Sequence, residues 1–314
     1  MGLMNDLLTN DLFPQALQPI MLSGPTDLEG FRHTARYLLA QNILPEQVAW
    51  HSTGSPAQDL FAQGRNSTPH LIAAHIAASG SLPPISVPPE FMTLCQSVIL
   101  HSDPNRFGLL YRLLWRMTHE PGLRHDPLDA DMVKAGQLAQ AVRRDMHKMK
   151  AFVRFRTVQD EAFRSNPEGG LLHVAWFEPE HHIVEAVAPF FARRFTQMRW
   201  AILTPERCMA WDGAHIRFSP GAEKSDAPPP DAGEALWLTY YQHTFNPARL
   251  KLKMMQKEMP RRYWHNLPEA QFISPLSTSA NQRQAHMMAQ APSSPERCIP
   301  AFKVRGTAQQ VLQI

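Results

Sequence analysis

Cysteine is scarce: the 314 residues hold three, Cys95, Cys208 and Cys298. They stand far apart, are odd in number and form neither a CxxC pair nor a zinc spacing. This excludes a disulfide framework and argues for a reducing interior. No run approaches the roughly 18 apolar residues of a membrane span. The opening MGLMNDLLTNDLF lacks a basic stretch followed by an apolar one, so no signal peptide is expected. Also missing are HExxH, HxH, GxSxG, a phosphate loop and GxGxxG, so spacing alone assembles no catalytic machine. The expectation is a cytoplasmic protein with no membrane association.

Net charge is scarce too, at +3, which does not by itself indicate a nucleic-acid partner. Its distribution says more. Residues 1–139 carry eight basic and twelve acidic residues, 140–270 nineteen and fifteen, and 271–314 four and one. Within 143–156 six basic residues (Arg143, Arg144, Lys148, Lys150, Arg154, Arg156) face one acid, Asp145. A local patch of this kind suits a phosphate-bearing partner. A solvated helix face running into a strand explains the same residues, and the two readings stand level.

What is present reads as an α+β fold. A small β-α-β unit over 18–51 comes first: QPIML and QVAWH as strands, with a helix after SGPTD capped by Thr26 and Glu29. Its turn is read as structural, since one glycine makes no anion loop. Residues 1–17 read as a leader and 52–89, rich in Ser, Ala, Gly and Pro, as a linker or insert. A main domain spans 90–272, and 273–314 carries few order signals. In its helical middle, PNRFGLLYRLLWRMTHE presents Phe107, Leu110, Leu114 and Met117 on one face, with Arg106, Arg112 and Arg116 elsewhere. The next helix buries Met132, Ala135, Leu138/Ala139, Val142, Met146 and Met149. That places Arg143, Arg144, His147, Lys148 and Lys150 on its exposed side.

From 151 the period changes to two. AFVRFRTV and LLHVAWF read as strands, HHIVEAVAPFFARRF as a helix, and RWAILT, RCMAW and HIRFS as strands. The last two are joined by Asp212-Gly213, a hairpin signal. The sheet is therefore expected to be mostly antiparallel, in ββ-α-βββ order, flanked by helices. Two further helical runs, EALWLTYYQHTF and PARLKLKMMQKEM, break at Asn246-Pro247.

Three groups can carry chemistry. If AFVRFRTV is a strand, Phe152, Arg154 and Arg156 share a face, and burying two guanidinia without partners would be costly. That face is either solvated or a phosphate-binding surface. PRRYW compresses Arg261, Arg262, Tyr263 and Trp264 into one turn, a composition suited to backbone neutralisation and base stacking. EPEHHI pairs the carboxylates Glu178 and Glu180 with His181 and His182 between a strand and a helix. A metal there would need further ligands such as His173 or His147, so the preferred roles are a helix cap at Glu180 and a packed His181. No metal or cofactor is expected.

The runs RRDMHKMKAFVRFR, FEPEHHIVEAVAPFFARRF, WAIL, WDG and MPRRYWHNLPEA together resemble a bacterial family of DNA-metabolism or DNA-repair proteins. Its members accompany a radical-SAM protein, or are fused ahead of an UdgX-type uracil-DNA glycosylase domain. MLSGPTDLEGFRHTARYLLA and DPNRFGLLYRLLWRM look like the longer, fused form. The resemblance covers about 18–290 and implies a DNA-repair setting more than a reaction. Its motif residues here are His147, Lys148, Lys150, Arg154, Arg156, His181, Arg194, Asp212, Arg261, Arg262, Tyr263 and Trp264. The last residues match neither domain, so glycosylase activity is not expected of this chain.

Three functions follow as expectations. The first is an accessory protein that binds DNA or positions it for a uracil-DNA glycosylase or radical-SAM partner. The others are an enzyme using His147 and His181 as acid–base groups, and a protein-interaction module docking through the acidic N-terminal half.

Overall fold

The computed structural model describes residues 17–53, 86–120, 122–123, 126–159, 170–229, 238 and 252–289. It is an α+β protein with a two-stranded and a five-stranded sheet. The chain divides into two compact units, Met1–Glu234 and Ala235–Ile314.

In the first unit β1 (Gln18–Leu22) and β2 (Val48–Ser52) pair in parallel, joined by the crossover helix α1 (Leu28–Ala40) that a parallel pair requires. The cap of α1 is Asp27, not Thr26. One Asp27 carboxylate oxygen accepts the Gly30 amide at 2.8 Å and the other the Ser23 amide at 3.1 Å. A carboxylate satisfies these donors and sits at the positive end of the helix dipole, which Thr26 cannot match.

Three helices follow: α2 (Pro89–Val98), α3 (Arg106–His119) and α4 (Ala130–Phe152). Phe31, Leu38, Phe107, Leu110, Tyr111, Ala135 and Leu138 close one core with Ile20 and Leu22 of β1. Trp50 of β2 packs among Phe31, Phe107 and Tyr111, with ring centroids 5.1, 6.3 and 5.8 Å away. Arg106 departs from expectation. It is 4% exposed, and its fork donates to the carbonyls of Ile99 (2.9 Å), Asp103 (2.9 Å) and Pro25 (2.6 Å). The planar guanidinium stitches the turn before α3 to the turn before α1, a task helical periodicity does not reveal.

Helix α4 starts at Asp129, whose carboxylate accepts the amides of Asp131 and Met132. Arg112 and Arg116 pair with Asp131, and Arg116 also with Asp129. Its 23 residues reach about 34 Å at 1.5 Å per residue. Ala135, Leu138 and Ala139 enter the helical core. Further along, Val142, Asp145 and Met149 continue the buried stripe.

The large sheet runs β3 (Arg156–Gln159), β4 (Leu171–Trp176), β5 (Trp200–Leu203), β6 (Arg207–Trp211), β7 (Ile216–Pro220), in sequence order. Only β4–β5 is parallel, and α5 (Val184–Arg194) makes its crossover. The ββ-α-βββ, mostly antiparallel reading therefore holds. Gly213, at φ 104°, turns the β6–β7 hairpin. A Cβ at Gly221 would lie 1.9 Å from the Pro205 carbonyl oxygen, so only glycine passes there.

The second unit shows α6 (Leu252–Glu258), a 3₁₀ turn (Arg261–Asn266) and α7 (Ala270–Ala289). Residues 273–289, expected to carry little order, are helical. Their hydroxyls turn back onto the helix, Thr278 donating to the Ser274 carbonyl and Ser279 to that of Pro275. All but the last residue of the expected leader over 1–17, most of the insert, 290–314 and nearly all of the run EALWLTYYQHTF lie outside the described residues.

Replacing Arg106 with alanine strands three carbonyls. Urea unfolding should show a loss of about 3 kcal/mol, while Arg32→Ala, an exposed residue, should change stability by less than about 0.5 kcal/mol.

Candidate functional site

The basic junction is built differently from the strand reading. Helix α4 continues to Phe152, and β3 begins only at Arg156. Phe152, Arg154 and Arg156 therefore do not share a strand face. The stripe that ends in Met149 holds the helix one turn further, and its last carbonyls then need donors. Arg154 supplies them, donating to the carbonyls of Ala151 (2.8 Å) and Val153 (3.2 Å). Arg156, half-buried, donates to the Pro228 carbonyl at 2.6 Å. Both arginines thus hold backbone.

Periodicity also misplaced Lys148, which is 8% exposed with its ammonium 5.8 Å from the centre of the Phe152 ring. Asp145 is 1% exposed, and its Oδ2 accepts the amides of Glu180 (2.8 Å) and His181 (3.0 Å). The signal was present: 135, 138, 142, 145 and 149 form one i, i+3, i+7 stripe, and Asp145 lies on it.

With Asp145 inward, Arg143, Arg144, His147 and Lys150 are exposed. Arg143, His147 and Lys150 follow i, i+4, i+7 spacing, a row of about 10 Å on one side of α4. Lys150 lies 5.1 Å over Phe190 of α5, one turn before the exposed pair Arg193 and Arg194. Arg194 covers Phe195, whose ring meets Phe155 edge-on at 5.2 Å. The ends of α4 and α5 therefore contribute to one basic surface. None of these four arginines, nor Lys150, has an ion pair among the described residues. Lys150, Arg193 and Arg194 also complement the negative helix ends. Arg143 and Arg144, about two turns earlier, have no such role. Arg193 escaped the sequence reading, and Arg194 entered it through the resemblance alone.

A second cluster forms where the segment 178–183 meets the turn after α2. Glu180 is not a cap: α5 begins at Val184 behind Ile183, with no side-chain cap. Asp145 takes the Glu180 amide instead. The His182 amide donates to the Leu100 carbonyl at 2.9 Å. His182 Nδ1 and Glu206 Oε2 are 2.7 Å apart, and that hydrogen bond leads the factors holding the Glu206 carboxyl below its usual value. His181 is buried and stacks on His101, centroids 4.1 Å apart. His101 was missed, because a histidine at a helix end carries no pattern. His147 lies exposed on α4 and enters none of these contacts, so His101 is the histidine the fold pairs with His181.

Burial, reinforced by His181, pushes the His101 pKa down to about 4. Burial, reinforced by His182, lowers that of His181. For a metal the chemistry is unfavourable. The Asp103 amide donates to His101 Nδ1 and the Ser102 amide to His181 Nδ1, so both Nδ1 lone pairs are engaged. Among the described residues no group of three or more His, Cys, Asp or Glu is placed to hold a metal.

In the second unit Arg261 and Arg262 are exposed and lie over Trp264 (5.7 Å) and Tyr263 (4.7 Å). Tyr263 is 3% exposed and its hydroxyl accepts from Arg262 at 2.8 Å. Trp264 is half-buried and donates to the Met259 carbonyl. Arg261 and Arg262 are thus exposed, while the buried Tyr263 ring is not open to a base.

The profile of a family described as a domain of unknown function, DUF4130, matches residues 104–269. That is more than half of the chain, and the protein belongs to this family. The matched span takes in α3 to β7 and the PRRYW turn, and leaves out the β-α-β unit, α2 and His101. No curated protein and no solved structure matches.

Neutral burial of the histidine pair makes stability depend on pH with a definite sign. The unfolded chain takes up the His101 proton near 6.5 and the folded chain only near 4. Stability should therefore fall as pH drops from 6.5 towards 4 and level off below. Urea midpoints across that window should show this loss in the wild type and less of it in His101→Asn.

Proposed function

We propose that this protein is an accessory nucleic-acid-binding protein of DNA repair, positioning DNA for a partner uracil-DNA glycosylase or radical-SAM enzyme. The observation that carries the reading is the exposed row on α4 (Arg143, Arg144, His147, Lys150) with Arg193 and Arg194 beside it on α5, free of ion pairs among the described residues. Arg143 and Arg144 have no evident service to the fold. Guanidinium forks match phosphate oxygens, and a row of about 10 Å faces two to three successive phosphates of one strand. Arg154 and Arg156, holding backbone, act as supports of this surface.

The DNA-repair setting and the two partners rest on the resemblance of RRDMHKMKAFVRFR, FEPEHHIVEAVAPFFARRF and MPRRYWHNLPEA. Of the two histidines in the acid–base reading, His181 lies in the histidine cluster and His147 is exposed on α4.

Fluorescence anisotropy with single- and double-stranded oligonucleotides over a salt series tests the proposal. Wild type should bind with a negative log–log salt slope. Arg143→Ala/Arg144→Ala/Lys150→Ala should lower affinity and make the slope shallower by about 0.9 per lost phosphate contact on duplex and about 0.7 on single strands. No binding, or a triple variant with the wild-type slope, overturns the proposal.

A further inference from the structure

The aromatic rings beneath the basic surface of α4 and α5 are occupied. Phe190 carries the Lys150 ammonium 5.1 Å over its centre, and the Phe191 ring meets it edge-on at 5.3 Å. Phe195 lies under the Arg194 guanidinium at 5.4 Å, stacks on Phe191 at 6.2 Å and takes Phe155 edge-on at 5.2 Å. At the end of α4 the Lys148 ammonium stands 5.8 Å from the centre of Phe152. Phe152, Phe155, Phe190 and Phe195 are all half-buried. Elsewhere among the described residues, Phe218 is the one exposed Phe, Tyr or Trp, at 38%, and Arg207 lies 5.6 Å over it. These rings are seats for cations: the negative face of each draws a charge down and fixes where it stands.

Proteins that hold single strands combine a basic groove with open aromatic faces on which successive bases stack. The surface of α4 and α5 has the cations without the open faces, so its attraction is for phosphate. Phosphate is denser on a duplex, about one charge per 1.7 Å of axis against one per about 3.4 Å on one strand. Along the row on α4, about 10 Å long, a duplex therefore presents about six phosphates and one strand about three. The surface is also wider than one strand. Arg143, His147 and Lys150 line up on α4, whereas Arg193 and Arg194 stand beside them on α5. The axes of packed helices lie about 8–10 Å apart, between the widths of the two grooves of B-DNA, about 6 and 12 Å. Cations carried on two such helices match phosphates on both sides of a groove.

We infer that this surface takes double-stranded DNA, through its phosphates and without stacking on or reading its bases, and that Phe190 and Phe195 position the cations that do so. The inference rests on the nucleic-acid reading of the surface and names the form of DNA it takes. Phe190 and Phe195 are positioning residues here: each acts through the cation above it, and neither touches the DNA.

Fluorescence anisotropy of the full chain at one moderate salt concentration tests this, with a mixed-sequence single strand, its duplex, and A·T-rich and G·C-rich duplexes of equal length. Duplex should bind on the order of tenfold more tightly than the single strand, or better, and the duplexes should agree within about threefold. Arg143→Ala/Arg144→Ala/Lys150→Ala should shrink the preference for duplex. Phe190→Leu keeps every charge but removes the seat of Lys150. It should weaken duplex binding about threefold and leave the salt slope unchanged. Binding to neither form overturns the nucleic-acid reading and this inference with it. A smaller preference for duplex, a larger difference between duplexes, or a preference that the triple variant retains in full overturns this inference alone. So does a loss in Phe190→Leu confined to the single strand, which would make the ring a stacking platform. Should Phe190→Leu fail to fold, the comparison of forms on the wild type and the triple variant decides.

Discussion

A buried carboxylate organises this molecule. Asp145 sits at 1% exposure in the middle of a long helix, among cations, and is held by the amides of Glu180 and His181. Burying a charge costs several kcal/mol unless hydrogen bonds replace its water, so those amides cannot drift from it. The constraint fixes the rotation of α4 about its own axis and the path of 178–183 at once. On the helix it turns Arg143, Arg144, His147 and Lys150 to solvent by simple periodicity. In the segment it sets where α5 starts, and with it the crossover between the two parallel strands of the sheet. It also delivers His181 to His101 and Ser102.

Arginine plays two separate parts here. Arg106, Arg154 and Arg156 donate to backbone carbonyls at a loop junction, a helix end and a strand start. Five fixed donors on a plane suit that work better than an ammonium does. Arg143, Arg144, Arg193 and Arg194 do none of it and remain at the surface. Sequence shows both kinds as the same letter. The opposed acid count, six bases against one, also concealed that the single acid was the residue with the strongest structural demand.

Much of the architecture was legible. The β-α-β unit, the buried stripe of α4, the order of strands and helix in the large sheet, and the Asp212-Gly213 hairpin follow from local rules of period and turn chemistry. Reading failed where two local rules competed. AFVRFRTV alternates like a strand, yet helix hydrogen bonds and the stripe ending at Met149 carry α4 to Phe152. Thr26 suited a capping box, yet the carboxylate of Asp27 held more donors. STSANQRQ looked unstructured, yet its hydroxyls bond back to the helix that contains them.

The sequence by itself determined the fold class, the faces of the helices and the existence of a basic stretch, because those depend on residues close together in the chain. Only the tertiary structure decided which charges are buried, which arginines hold backbone, and that His101 stacks on His181 across 80 residues. Those outcomes depend on the donors and acceptors that distant segments bring within hydrogen-bonding reach, and no local pattern encodes that distance.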